Sequence, residues 1–212
     1  MIDNFLERGV IEKVPLEEPS DWDSPAFFVP KAINPDTSVK LRLVTDFSKL
    51  NKFVKRPVHP FPSSRDIMRG IPSGTKYFCK LDAVWGYHQM PLDEESRKLT
   101  TFLLPSGRYR YKRGPMGLSS SNDEWCGRSD AILKGVDDAQ KIVDDVLIAA
   151  PDLPTLIGRI RRLLTNCREI GLAMSPKKMK IDTSMPFAGY VVSPDGVHAC
   201  LLYTSPSPRD RG

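Results

Sequence analysis

The sequence predicts an α+β fold, and three observations predict it. Runs that alternate in hydrophobicity are interspersed with amphipathic runs of helical period. Several strand-like runs are separated only by tight-turn residues, which makes them antiparallel hairpins. The regular strand–helix–strand alternation of a doubly wound parallel sheet is missing. At 212 residues the chain is long enough for one or two compact units with a real core.

Residues 2–11 read as a short helix, with Ile2, Phe5, Leu6 and Val10 on one side. AFFV (26–29) and VKLRLVTDF (39–47) read as strands joined through a turn at Asn34-Pro35-Asp36. Ser63 or Ser64 caps a short helix that runs through Met68. TKYFCKLD (75–82) alternates, with Tyr77, Cys79 and Leu81 on one face, and reads as a strand. LTTFLL and RYRYKR flank Pro105-Ser106-Gly107 and read as a hairpin. Ser119 to Lys134 reads as a helix stopped by Gly135. KIVDDVLIAA (141–150) reads as a buried strand pair interrupted by two aspartates. From Leu153 to Ile170, Leu153, Leu156, Ile157, Ile160, Leu163, Leu164, Cys167 and Ile170 make one apolar helical stripe, which Gly171 ends. Short strands near 178–181 and 187–192 follow, with a Ser193-Pro194-Asp195-Gly196 turn after them.

Composition narrows the function classes. A formal net charge of +5 permits a nucleic-acid partner without requiring one. No apolar run approaches the ~18–20 residues needed to cross a bilayer, and MIDNFLERGVIEK is too acidic for a secretory signal, so no membrane partner is predicted. Cys79, Cys126, Cys167 and Cys200 lie far apart and form no CxxC pair, which argues against zinc and disulfides and fits a reducing compartment. Residues 200–212 read as a non-native tail: CLLYTSPSPRD back-translates without a gap to a sequence resembling the adapter of transposase-based sequencing libraries.

The tripeptide VDD occurs twice. Val136-Asp137-Asp138 lies in a polar, turn-like setting and reads as solvated. Val143-Asp144-Asp145 sits inside a β-branched run, where two adjacent charges are costly to bury unpaired. Two readings stand for it: a surface hairpin with Asp-Asp at its tip, or a hairpin that presents both carboxylates to a cation. Asp82, at the exit of the alternating strand, adds a third carboxylate. If the two strands are neighbours, the three converge in the manner that metal-assisted phosphoryl transfer requires.

The segments around these residues occur in an order that resembles one family. FLERGVIE, SPAFFVPK, KLRLVTDFSKLN, YFCKLDAVWGYHQMPL, GPMGLSSS, KIVDDVLI, GLAMSPKKMKI and FAGYVVSPDGV are similar to the successive motifs of the reverse transcriptase of Ty3/Gypsy-type long-terminal-repeat retrotransposons. The likeness runs from about Phe5 to Val197. It implies a right-hand polymerase with fingers (about 20–75 and 93–115) and palm (about 76–92 and 116–197), a ferredoxin-like antiparallel palm sheet, and no thumb.

The same resemblance implies roles. Asp82, Asp144 and Asp145 bind two Mg²⁺ ions, or Mn²⁺, with the backbone of Ala83 beside them. Arg42 and Lys31 clasp the triphosphate, Tyr87 excludes a 2′-hydroxyl, and Met116 and Gly117 pack on the incoming nucleotide. Lys177 or Lys178 is the late-motif lysine, and Gly189 and Tyr190 form the primer grip. The partners implied are dNTP, an RNA or DNA template with its primer, and the protease, RNase H and integrase regions of a Pol polyprotein. The implied location is cytoplasmic, in a virus-like particle, or nuclear. Arg108, Arg110 and Lys112 share one hairpin face and are expected to contact phosphate. Arg159, Arg161, Arg162 and Arg168 read as a solvated helix face. Two departures from the family pattern, Ile142 in place of an aromatic residue and the run SSSNDEWCGRSD, leave a second reading: an inactive retroelement fragment with at most nucleic-acid binding. A two-metal nuclease fits the carboxylates but not the finger and primer-grip segments.

Overall fold

A computed structural model describes residues 1–30, 41–60 and 62–200 of the chain. It comprises two compact units, Met1–Val58 with Trp85–Trp125, and His59–Val84 with Cys126–Gly212. Ile67 and Met68 share a buried cluster with Phe78 and Leu147 of the second unit, while Trp85 and His88 pack edge-on against Phe5 of the first.

The first unit is built on a five-stranded sheet of order β1-β6-β5-β2-β3. Its strands are β1 (Ile11–Val14), β2 (Ser24–Pro30), β3 (Leu41–Thr45), β5 (Phe102–Leu104) and β6 (Gly107–Tyr111). The β2–β3 and β5–β6 hairpins form as expected. The expected helix over 2–11 is shorter: α1 spans Ile2–Glu7, Gly9 turns the chain at φ 62°, and Val10 and Ile11 go into the core as β1 pairs with β6. The side chains of Ile11, Phe47, Phe102, Tyr109 and Tyr111 make this core. A short helix, α3 (Glu94–Leu99), starts at Asp93, whose carboxylate accepts from the Ser96 amide.

The second unit holds α2 (Ser64–Arg69), β4 (Tyr77–Asp82), β7 (Ala139–Ile142), β8 (Asp145–Ala150), α5 (Leu153–Ile170) and β9 (Lys180–Asp182). Its main sheet has the order β7-β8-β4-β9, antiparallel throughout. Cys79, Leu81, Val146, Ile148 and Ala150 on one sheet face pack against Leu156, Ile160, Leu163 and Cys167 of α5. Each fully buried Leu, Ile or Val among them contributes on the order of 1.5–3 kcal/mol. On the other face Phe78 and Leu147 pack with α2 and with a separate three-stranded sheet. That sheet comprises β10 (Met185–Phe187), β11 (Tyr190–Ser193) and β12 (Gly196–Ala199), so the strand expected near 187–192 is a hairpin. Pro176–Lys178 is a 3₁₀ turn and the strand begins at Lys180, two residues later than expected.

The 119–134 helix is also broken. α4 spans Ser119–Ser129, beginning in the first unit and ending in the second, and Asp130–Leu133 tightens into a 3₁₀ turn. The tightening buries Ile132 completely and turns the carbonyls of Ile132 and Lys134 toward Asn166, whose side-chain amide donates to both at 2.8 Å. Those carbonyls would otherwise be unsatisfied helix-end acceptors.

Candidate active site

β4 and β8 pair so that Asp82 lies directly opposite Asp145. β7 and β8 form a hairpin closed at Ile142 and Asp145, which leaves Val143 and Asp144 as its two-residue turn. Val143 takes φ 51°, a conformation that β-branched residues rarely adopt and that stores strain. The Ala83 amide donates to the Asp144 carbonyl at 3.0 Å, and the Ser175 amide to the Asp82 carbonyl at 2.8 Å. Val84 is tied in turn to the Ala173 carbonyl at 3.0 Å. The exit of β4 is therefore clamped between the hairpin turn and residues 173–175, and the three aspartates are held at one end of the sheet.

Their electrostatic settings differ. Lys178 donates to Asp82 Oδ1 at 2.6 Å, so of the two late-motif lysines Lys178 is the one at the carboxylates. The Lys80 ammonium lies 3.0 Å from Asp145 Oδ2. Among the described residues Asp144 has no such partner, and its Oδ1 is buried without a hydrogen bond. Burial, then the neighbouring Asp82 and Asp145, push the Asp144 carboxyl above its ordinary value, with Lys178 and Lys141 partly offsetting this.

These residues fit a hard divalent cation. Three carboxylates offer the oxygen donors that Mg²⁺ takes, and the orphaned Asp144 Oδ1 is an acceptor still in need of a partner. As they are placed, no group of three or more His, Cys, Asp or Glu among the described residues is arranged so that it could hold a metal ion; the fit is one of donor chemistry. Lys178 and Lys80 pair instead with Asp82 and Asp145.

Gly189 lies with Ala188 in the β10–β11 turn, both at positive φ (84° and 53°), the conformation of a tight hairpin. A cleft of about 390 Å³ is lined by Lys80, Asp145 and residues 186–189, so Gly189 and Asp145 border the same space. Tyr190 is half-buried at the start of β11.

The first unit carries the remaining expected site residues. Arg42 is exposed on β3, opposite Val29, and lines a cleft of about 370 Å³ with Met116, Trp85, Phe5 and His88. Met116 is 45% exposed. Gly117 takes φ 91°, and the Asn51 side chain bridges this turn by donating to the Gly117 carbonyl and accepting from the Ser119 amide. The Tyr87 hydroxyl donates to Asn122 Oδ1 at 3.0 Å, and its ring meets Trp125 edge-on. Lys31 lies outside the described residues, as do the Asn34-Pro35-Asp36 turn and the 201–212 part of the expected tail.

Several expectations about charge are corrected. Arg108 is only 8% exposed and donates to the carbonyls of Pro15, Leu16 and Glu18. Arg110 is ion-paired to Glu12 and Glu18, both at 2.5 Å. Both arginines are committed inside the unit rather than displayed for phosphate, because β1 and the 15–18 segment fold over that face. Asp138 is not simply solvated: Arg159 pairs with it at 2.8 Å and also donates to the Ala149 carbonyl. Arg159 is accordingly no solvated helix charge. Lys80, Asn51 and Asn122 were not singled out from the sequence. The available signal for Lys80 was its position two residues before Asp82, on the same strand face.

The sequence profile described as Reverse transcriptase (RNA-dependent DNA polymerase) matches residues 29–192. The chain is 29% identical over 203 residues to the Retrovirus-related Pol polyprotein from transposon opus of Drosophila melanogaster, covering 93% of this chain and 20% of that protein. To the corresponding polyprotein from transposon gypsy of the same organism it is 29% identical over 201 residues, covering 92% and 19%. The chain thus spans about a fifth of the length of these relatives. The native Prototype Foamy Virus Protease-Reverse Transcriptase superposes with TM-score 0.78 at 26% identity, over 91% of this chain and 25% of that one. The foamy viral protease-reverse transcriptase dRH in complex with ds DNA superposes with TM-score 0.84 at 22% identity, over 98% and 36%, a likeness of fold. The expected fingers-and-palm fold is met. The chain belongs to the reverse transcriptase (RNA-dependent DNA polymerase) family, alongside those of gypsy-type retrotransposon Pol polyproteins.

Proposed function

We propose that this chain is the polymerase part of a Pol polyprotein, an RNA-directed DNA polymerase that adds dNTPs to a primer 3′-hydroxyl on an RNA or DNA template. The observation that carries the reading is the carboxylate end of the second unit's sheet: Asp82 opposite Asp145, with the unpartnered Asp144 Oδ1 in the turn between β7 and β8. Asp82, Asp144 and Asp145 hold two Mg²⁺ or Mn²⁺ ions, with the Ala83 backbone beside them. When bound, such ions lower the pKa of the primer hydroxyl and neutralise the triphosphate and the leaving pyrophosphate.

The protein's own groups bind and orient. The Arg42 guanidinium, joined by Lys31, clasps the triphosphate, since a planar fork suits phosphate oxygens. The Tyr87 ring blocks a 2′-hydroxyl, Met116 packs on the nucleotide beside Gly117, and Gly189 and Tyr190 hold the primer end. In the full-length polyprotein the protease, RNase H and integrase regions are its partners, and the place of action is a cytoplasmic particle. Among the described residues no helix is long and apolar enough to cross a membrane.

Primer extension on poly(rA)/oligo(dT) with and without Mg²⁺ tests the reading. Extension that needs Mg²⁺ and is lost in Asp144→Asn supports it. Template-primer binding without extension in the parent chain favours the inactive, binding-only alternative.

A further inference from the structure

Lys80 precedes Asp82 by two residues on β4, so both side chains leave the same strand face. Phe78 lies on that face too, buried with Leu147, Met185 and Phe187. Lys80 therefore stands where an apolar cluster meets the carboxylates. Its ladder partner is Leu147, and it reaches Asp145 diagonally. A long side chain spans the ~7–8 Å of such an offset. The Lys80 and Asp145 side chains are 27% and 35% exposed, so neither is fully hydrated. The Lys80 ammonium is also 5.9 Å from the centre of the Phe187 ring.

Charge decides what this lysine does. Asp82, Asp144 and Asp145 together carry three negative charges, and Lys80 and Lys178 return two positive ones, leaving one negative. Carboxylates placed directly opposite in a ladder repel, so the ammonium groups stabilise the metal-free sheet end. A divalent cation on the same oxygens faces those ammonium groups as a like charge, in a partly buried setting where salt screens weakly. We propose that Lys80 is a built-in counter-ion of Asp145 that competes with the divalent cation for its carboxylate, so that metal enters by displacing a lysine. The inference rests on the reading of the three aspartates as metal ligands. The Phe187 ring face, within reach of the ammonium, gives the displaced lysine a second place to sit.

The test is Mn²⁺ binding to the metal-free chain without nucleic acid, followed by the paramagnetic resonance signal of free Mn²⁺. Lys80→Met keeps the stem on Phe187 and removes the charge. It binds Mn²⁺ about tenfold more tightly than the parent, a change of ~1.4 kcal/mol. Lys80→Gln does the same, and Lys80→Arg keeps the parent affinity. Unchanged or weaker Mn²⁺ binding in folded Lys80→Met and Lys80→Gln overturns the proposal. So does failure of both neutral variants to fold, which makes the pair purely structural. Asp144→Asn is titrated beside them: unaltered Mn²⁺ binding there overturns the metal site itself, whereas lost binding there with no gain at Lys80 overturns only the role of the lysine.

Discussion

Asp82 and Asp145 face each other across β4 and β8, and each is tied to a different lysine, Lys178 and Lys80. Asp144, one residue earlier in the turn, is tied to no lysine among the described residues, and its Oδ1 accepts no hydrogen bond there. Three carboxylates of one chemical type thus occupy two electrostatic settings.

Asp144→Asn is expected to stabilise the metal-free chain at neutral pH while abolishing extension. The folded state raises the Asp144 carboxyl above its ordinary value of 3.8. Between that value and the raised one, the folded state binds more protons than the unfolded, so stability falls as pH rises through this window. The loss is complete above the raised value and absent below the ordinary one. The gain from Asp144→Asn is therefore full at neutral pH and fades on acidification. Denaturant melts of both proteins across that range check it; a gain that grows toward low pH contradicts the sign.

The second VDD separates composition from function. Asp137→Asn is expected to leave extension intact and to change stability by no more than ~0.5 kcal/mol. Asp138→Asn also leaves extension intact, but it loses the Arg159 pair, at a cost of about 0.2–1 kcal/mol. Asn tolerates the φ of 50° at this position, so the loss is one of charge alone. Inactivation by Asp137→Asn with a silent Asp144→Asn would move the active hairpin to residues 136–138.

Tyr87 has a ring and a hydroxyl with separable roles. Tyr87→Phe removes the hydroxyl with its bond to Asn122 and costs about 0.5–1.5 kcal/mol of stability, with sugar discrimination kept. Tyr87→Ala removes the ring and admits ribonucleotides, each tenfold loss of discrimination being ~1.4 kcal/mol. Competition between dNTP and rNTP in primer extension reads the difference. Unchanged ribonucleotide use by an active Tyr87→Ala protein removes Tyr87 from this role.

Arg108→Ala is expected to weaken the fold rather than nucleic-acid binding. It strips the carbonyls of Pro15, Leu16 and Glu18 of a charged donor, a loss of about 1.5–3 kcal/mol. The salt dependence of template-primer affinity stays that of the parent, because no phosphate contact is lost. A reduced salt slope with unchanged melting would restore the phosphate-contact reading.

Periodicity and turn chemistry determined the strands β2 to β8, the full extent of α5 and the pairing of two hairpins, because each reports local backbone geometry and the face from which a side chain leaves. The spacing of Asp82 and the Val143-Asp144-Asp145 turn likewise brought the three aspartates into view before any pairing was known. What lies opposite a face is a long-range matter, and only the tertiary structure decided it. The α5 stripe reads as one apolar band, yet Leu156, Ile160 and Leu163 are buried while Leu153, Ile157 and Leu164 remain over 40% exposed, because the sheet covers only part of the band. Arg108 and Arg110 read as a basic face, yet β1 and the segment after it, some ninety residues away, close over them. Lys80 reads as an ordinary strand cation, and the motif leaves Lys177 and Lys178 as equal candidates. The β4–β8 register and the 3₁₀ turn at Pro176–Lys178 make Lys80 and Lys178 the counter-ions of two carboxylates, since an ion pair depends on distances that a linear sequence does not contain.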